Sequence, residues 1–187
     1  NPSGGLLRGM AFNPDGSQLA AATDDERVLV WDANSGEIIF SQKSSFLTGA
    51  SVYYGYGDSE WGPARSGSPV AEQGLAFSSS GDLIAFGNGN TIDLWDVANN
   101  NKVAEMVNPE GYFATQVSFS ADGTRLYAII NRNRIAQIWD VPSSRLLRQV
   151  DLPRVDPNAF SAVALDGPLF ARNNIDDQGN GKIEVWD

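Results

Sequence analysis

The 187-residue sequence contains no cysteine and no histidine. Without cysteine there is no disulfide, no thiolate nucleophile and no thiolate metal ligand. Without histidine the usual general base and the commonest metal ligand are also missing. Lysine is scarce, at Lys43, Lys102 and Lys182, and basic residues number 13 against 23 acidic ones, for a net charge of -10. That balance argues against nucleic acid as a partner, because phosphate affinity comes largely from Lys and Arg. It suits a basic surface on another protein. No apolar run approaches the ~20 residues that a membrane helix needs, and no signal-peptide pattern is visible. A soluble chain without membrane insertion is expected, with its compartment open. No segment has helical periodicity, and no glycine-rich phosphate loop joins a strand to a helix; "GNGNT" at Gly87–Thr91 reads as a hairpin turn. The first residue is Asn1, which suggests a processed, excised or partial chain.

What the sequence does have is an internal repeat. Four Trp-Asp pairs close strand-like stretches: Trp31-Asp32, Trp95-Asp96, Trp139-Asp140 and Trp186-Asp187. Upstream of each lies a second matching block, with an apolar residue four positions before a glycine: Phe12/Gly16, Phe77/Gly81, Phe119/Gly123 and Val163/Gly167. From that glycine to the tryptophan the spacing is 15, 14, 16 and 19 residues. Two anchors at near-constant spacing, repeated four times, mark an array of similar units.

Each unit reads as β-structure. An alternating strand a precedes a turn such as Pro14-Asp15-Gly16, and an apolar strand b follows. A polar turn leads to strand c, with apolar residues at every second place (Val28/Val30, Ile92/Leu94, Ile183/Val185) before Trp-Asp. Strand d then completes the first three units. The units span roughly 6–43, 70–108, 113–152 and 159–187. The "F-x-P-D-G" type turns (Phe12–Gly16, Phe119–Gly123) and the four Trp-Asp pairs resemble the WD-repeat β-propeller family. The resemblance implies an all-β fold of four-stranded antiparallel blades around a central channel, and a role as an interaction scaffold. The family commonly carries a Gly-His pair before strand a and a Ser or Thr on strand b, joined with the Trp in a buried relay. Here His is absent and strand b offers Ala21, Ala85 and Ala128. The tryptophans are therefore expected to hold the blades mainly by packing, with each indole N–H finding another partner.

The fourth unit reads a-b-c, and only "NPSGG", a poor strand, precedes strand a of the first. The expectation is a portion of a larger ring. Completion by further blades, by a second copy, or closure with four blades are the alternatives, and "KIEVW" is the exposed edge to be covered.

The first Trp-to-Trp interval holds an insertion, Ser44–Gln73, between strand d of unit 1 and strand a of unit 2. Long loops in compact domains are usually functional or disordered. Tyr53, Tyr54, Tyr56 and Trp61 sit there among Gly and Ser, with Arg65 nearby. Tyr and Trp supply contact area at low entropy cost, and Gly and Ser supply adaptability. If the blades form as read, d-to-a and b-to-c connections share one face, which adds Tyr112 and Arg154 as candidates. The aromatics either recognise a partner or pack on the chain's own blade edges. "DDQGNGKIEVWD" partly matches a calcium loop through Asp176, Gln178 and Asn180. Because Ile183–Trp186 must be strand, Asp187 is drawn away from Asp176, and a polar turn is the reading kept, with no metal and no cofactor. The remaining acids fall mostly in turns, where turn chemistry explains them. The expected function is a non-catalytic protein-interaction scaffold. The alternatives are a carbohydrate- or small-ligand-binding propeller using the loop aromatics, and an acid-pair glycosidase.

Overall fold

The computed structural model describes residues 7–23, 25–44, 74–111, 114–130, 135–152, 161–163, 170–175 and 181–186. All regular structure among them is β. The first sheet is β1 (Leu7–Phe12), β2 (Gln18–Thr23), β3 (Arg27–Asp32) and β4 (Ile38–Lys43). The second is β5 (Leu75–Phe77), β6 (Leu83–Asn88), β7 (Thr91–Asp96) and β8 (Asn101–Val107). The third is β9 (Ala114–Phe119), β10 (Arg125–Ile130), β11 (Ile135–Asp140) and β12 (Arg145–Asp151). The fourth holds β13 (Ser161–Val163), β14 (Phe170–Ile175) and β15 (Gly181–Trp186). Strands are ordered along each sheet as along the chain, and each pairs antiparallel with the next. These are four blades, three of four strands and one of three.

One register runs through all four. Trp31 faces Leu19, Trp95 faces Ile84, Trp139 faces Leu126 and Trp186 faces Phe170. On the other side of the tryptophan, the pairing with strand d slips by one residue between Val30 and Trp31, Leu94 and Trp95, and Ile138 and Trp139. Such a bulge bends the strand and raises its twist. The position two before the tryptophan faces Ala21, Phe86 and Ala128. Sequence reading put Ala85 in that series, but Ala85 pairs with Leu94, one place off: counted five residues from the turn glycine, as Ala21 and Ala128 are, the equivalent residue is Phe86.

The two anchors have local causes. At the a-to-b turn, Gly16, Gly81 and Gly123 lie at φ of 75, 80 and 70 degrees. Each donates its N–H to the carbonyl three residues back, on Asn13, Ser78 and Ser120. The side-chain oxygen of that same residue accepts the first N–H of strand b: Gln18 to Asn13 at 2.9 Å, Leu83 to Ser78 at 3.1 Å and Arg125 to Ser120 at 2.9 Å. At the c-to-d turn the aspartate of Trp-Asp caps the chain reversal. Asp32 accepts N–H groups of Asn34 and Ser35, Asp96 that of Asn99, and Asp140 that of Ser143. The residue after the aspartate ties this turn to its neighbour: Ala33 donates to Ser17, Val97 to Asp82 and Val141 to Thr124. The fourth residue after the aspartate is left-handed in all three units, at Gly36, Asn100 and Ser144.

The core lies between the blades. Val28, Val30 and Phe40 of the first pack with Leu75, Phe77, Ile84 and Phe86 of the second. Ile92, Leu94 and Met106 of the second pack with Val117, Phe119, Leu126 and Trp139 of the third. Each blade thus has a leading face, carrying strand a and the tryptophan, and a trailing face, carrying the alternate residues of strands b, c and d. Trp95 reaches back edge-on to Phe40, with ring centroids 5.7 Å apart and planes at 77 degrees.

The left-handed turn position gives a matched test. A Cβ at Gly36 would meet nothing within 4 Å, so Gly36→Ala is expected to cost about 1 kcal/mol from backbone strain alone. Ser144→Gly at the equivalent place is expected to gain about 0.5 kcal/mol, relief of strain being partly offset by unfolded-state entropy. Urea unfolding measures both, and effects of the same sign contradict the turn assignment.

Candidate interaction surface

The b-to-c turns and the d-to-a connections lie at the same end of the blades. The residues that join strand d to the next blade are fixed there. Ser44 donates its N–H to Glu26 at 2.9 Å and its hydroxyl to the Gly87 carbonyl of β6 at 2.7 Å, in a buried contact. The Gly87 N–H donates in turn to the Gly74 carbonyl at 3.0 Å. Ser44 is the first residue of the insertion and Gly74 follows its last. Both of its stems are therefore tied to the two backbone groups of one residue, between the first and second blades.

The next connection is built differently. Asn108 is buried, donates its N–H to the Asn90 carbonyl at 2.9 Å and accepts the N–H of Gly111 at 3.1 Å. Its side-chain oxygen accepts the N–H of Glu110 at 3.1 Å and the amide of Gln137 at 3.0 Å. Gln137 lies on β11, two residues before Trp139, with no exposure at all. Its amide also donates to Gln149 at 2.8 Å, and its oxygen accepts the Trp139 indole N–H at 3.1 Å. Gln149 donates to Glu110 at 3.3 Å. One buried amide thus links the tryptophan, the outer strand and the connection between blades 2 and 3.

The same strand position is occupied otherwise in blade 2. Asp93 is buried, and its oxygens accept Asn88 at 2.8 Å, Lys102 at 2.9 Å and Thr91 at 2.9 Å. Burial disfavours the Lys102 charge, but the Glu105 carboxylate, 2.6 Å away, and Asp93 outweigh it and raise its pKa. With both Asp93 oxygens engaged, the buried Trp95 indole N–H has no acceptor among the described residues. The expectation of a partner for each indole holds at Trp139 and fails at Trp95. Polar residues two places before the tryptophan were the signal in the sequence for both arrangements.

At the opposite end of the blades the turn carboxylates are occupied. Asp122 accepts the Ser120 hydroxyl at 2.6 Å and the Thr124 N–H at 2.9 Å, which with Arg125 pull its pKa down to about 2. Asp15, Asp32, Asp96 and Asp140 are lowered too, by donors in their own turns. Asp140 also pairs with Arg125. These carboxylates are held as anions that order turns.

Trp31, Asp32, Trp95, Asp96, Trp139 and Asp140 occupy the strand-c ends described above, and Trp186 the end of β15. Tyr53, Tyr54, Tyr56, Trp61, Arg65, Tyr112 and Arg154 lie outside the described residues, as do Asp176, Gln178, Asn180 and Asp187.

Comparison with known proteins adds three likenesses. A family model described as "WD domain, G-beta repeat" matches residues 2–32, the first unit up to its Trp-Asp. An uncharacterized WD repeat-containing protein of Synechocystis sp. is 27% identical over 171 residues, which are 91% of this chain and 42% of that protein. The solved structure of U3-55K, a WD propeller, matches with a TM-score of 0.67 at 14% identity, over 98% of this chain and 53% of that one. The chain spans less than half of the first and about half of the second.

The Gln137 network yields a stability test. Gln137→Leu fills the same space but removes the acceptor of the Trp139 indole and the donor to Gln149, while Asn108 keeps the Glu110 N–H. A loss of about 1–3 kcal/mol is expected in urea unfolding. A change under about 0.5 kcal/mol contradicts the network's role.

Proposed function

We propose, from the premise that this is a WD-repeat chain built of β-propeller blades, that it is a non-catalytic scaffold. In this reading it holds a protein partner at the end of the blades where the 44–73 insertion is rooted. The observation that carries the reading is the double tie of Ser44 and Gly74 to Gly87. A loop whose two stems are fixed at one buried point is presented from a rigid base, and recognition elements on rigid scaffolds lose less entropy on binding. The composition of the insertion fits the same purpose. Trp and Tyr dominate the energetics of protein interfaces, and Tyr53, Tyr54, Tyr56 and Trp61 fall within a stretch rich in Gly and Ser. The net charge of -10 favours a partner surface that is basic. Tyr112 and Arg154, on the neighbouring connections, are the further contact candidates.

Affinity capture from cell extract, read by quantitative mass spectrometry, tests the reading when the intact chain is compared with a variant lacking residues 46–70. Ser44 and Gly74 remain, so the melting temperature is expected to hold. The captured partner is expected to fall at least about tenfold, the effect of losing one interfacial hot spot. A partner captured equally by both chains contradicts a role for the insertion.

A further inference from the structure

Blade 2 turns from β6 to β7 on an Asn-Gly pair. Asn88 on β6 pairs with Thr91 on β7, so Gly89 and Asn90 form a two-residue hairpin loop. Gly89 lies at φ of 61 degrees, at the first central position, which a type II′ turn keeps for glycine. Asn88 and Gly89 are half-buried and Asn90 is exposed, so water reaches the loop.

Two connections between blades are tied to this hairpin. Before the loop, the two backbone groups of Gly87 hold Ser44 and Gly74. Within it, the Asn90 carbonyl accepts the Asn108 N–H at 2.9 Å. The Asn88 carboxamide donates to Asp93 Oδ2 at 2.8 Å, the oxygen that Lys102 also meets at 2.9 Å. Lys102 meets Glu105 at 2.6 Å. One ammonium therefore serves two carboxylates, and that of Asp93 is buried.

We propose that Asn88 is a modification site: it deamidates spontaneously in the folded chain, and the product loosens the hairpin. The Gly89 backbone nitrogen attacks the carbonyl carbon of the Asn88 side chain. A new N–C bond closes a five-membered succinimide, and the amide nitrogen leaves as ammonia with the Gly89 proton. Water then opens the ring at either carbonyl, giving aspartate or isoaspartate. Glycine suits the step, because no Cβ hinders its nitrogen and its backbone turns freely. The bond from Asn88 to Asp93 must break first, so the folded chain reacts more slowly than the unfolded one. Aspartate brings a third carboxylate to a cluster with a single ammonium, beside a buried anion. Isoaspartate lengthens the main chain by one methylene between the ties at Gly87 and Asn90.

Peptide mapping by mass spectrometry tests the site, on folded chain and urea-unfolded chain held for weeks in mildly alkaline buffer. The expected result is an acid at Asn88 in the folded chain, formed more slowly than in urea. It is expected to form faster than in mildly acidic buffer, because attack needs the Gly89 nitrogen without its proton. Asn88→Gln keeps a carboxamide but must close a larger ring, and is expected to stay unconverted. A folded chain whose Asn88 remains an amide after the unfolded chain has fully converted overturns the site. So does conversion in the folded chain confined to Asn180, in the second Asn-Gly pair. Asn88→Asp is expected to keep its β circular dichroism and to melt at least about 2 °C below the parent chain. An unchanged melting temperature overturns the loosening.

Discussion

The structure depends on apolar contact between neighbouring sheets. A single four-stranded sheet has two faces, and each needs cover to be stable in water. Stacking blades solves this once per interface: strand a and the tryptophan of one blade cover strands b, c and d of the one before. Val28, Val30 and Phe40, and likewise Ile92, Leu94 and Met106, are buried only because the next blade lies on them. Full burial of such a side chain contributes about 1.5–3 kcal/mol, so an interface of several exceeds any turn or hydrogen bond in the chain. The tryptophan is the long reach in this arrangement, and the bulge that precedes its pairing with strand d turns the strand at that point.

Turn chemistry supports the stack without driving it. The left-handed glycine, the side-chain oxygen three residues before it and the aspartate of Trp-Asp recur in the first three blades. They set where strands b and d begin, and so fix the register that aims each tryptophan at its neighbour. The buried polar positions are less uniform. Gln137 satisfies Trp139, whereas Asp93 is occupied by Lys102, Asn88 and Thr91 and leaves Trp95 without an acceptor among the described residues. Packing holds Trp95 in place all the same, against Phe40. A buried polar network thus reaches the tryptophan in blade 3 and stops short of it in blade 2.

Much of the fold was legible in the sequence, because the features that define it are local. Gly16 and Trp31 are both readable, and the strands between them alternate. The a-b-c-d order, the strand-c tryptophans and the shared end of the b-to-c and d-to-a connections follow from that pattern. What local pattern does not carry is partner choice across strands. The lack of an acceptor for the Trp95 indole among the described residues arose there, because it depends on where Lys102 reaches from the adjacent strand. The equivalence of Phe86 to Ala21 and Ala128 was countable from the turn glycines. The candidate surface was legible as composition, in the aromatics of the insertion. Its root was not, since nothing in "S" at 44 or "G" at 74 and 87 announces that the three meet.

The central claim is that face-to-face packing between blades, with tryptophan as the contact of longest reach, holds the array together. A double-mutant cycle on Phe40→Leu and Trp95→Leu, read by urea unfolding, measures that contact directly. The two residues lie on different blades, so their coupling reports the interface and not either sheet. The account expects a coupling energy of about 0.5–1.5 kcal/mol, the range for edge-on aromatic pairs. Additive losses, with coupling indistinguishable from zero, would contradict it.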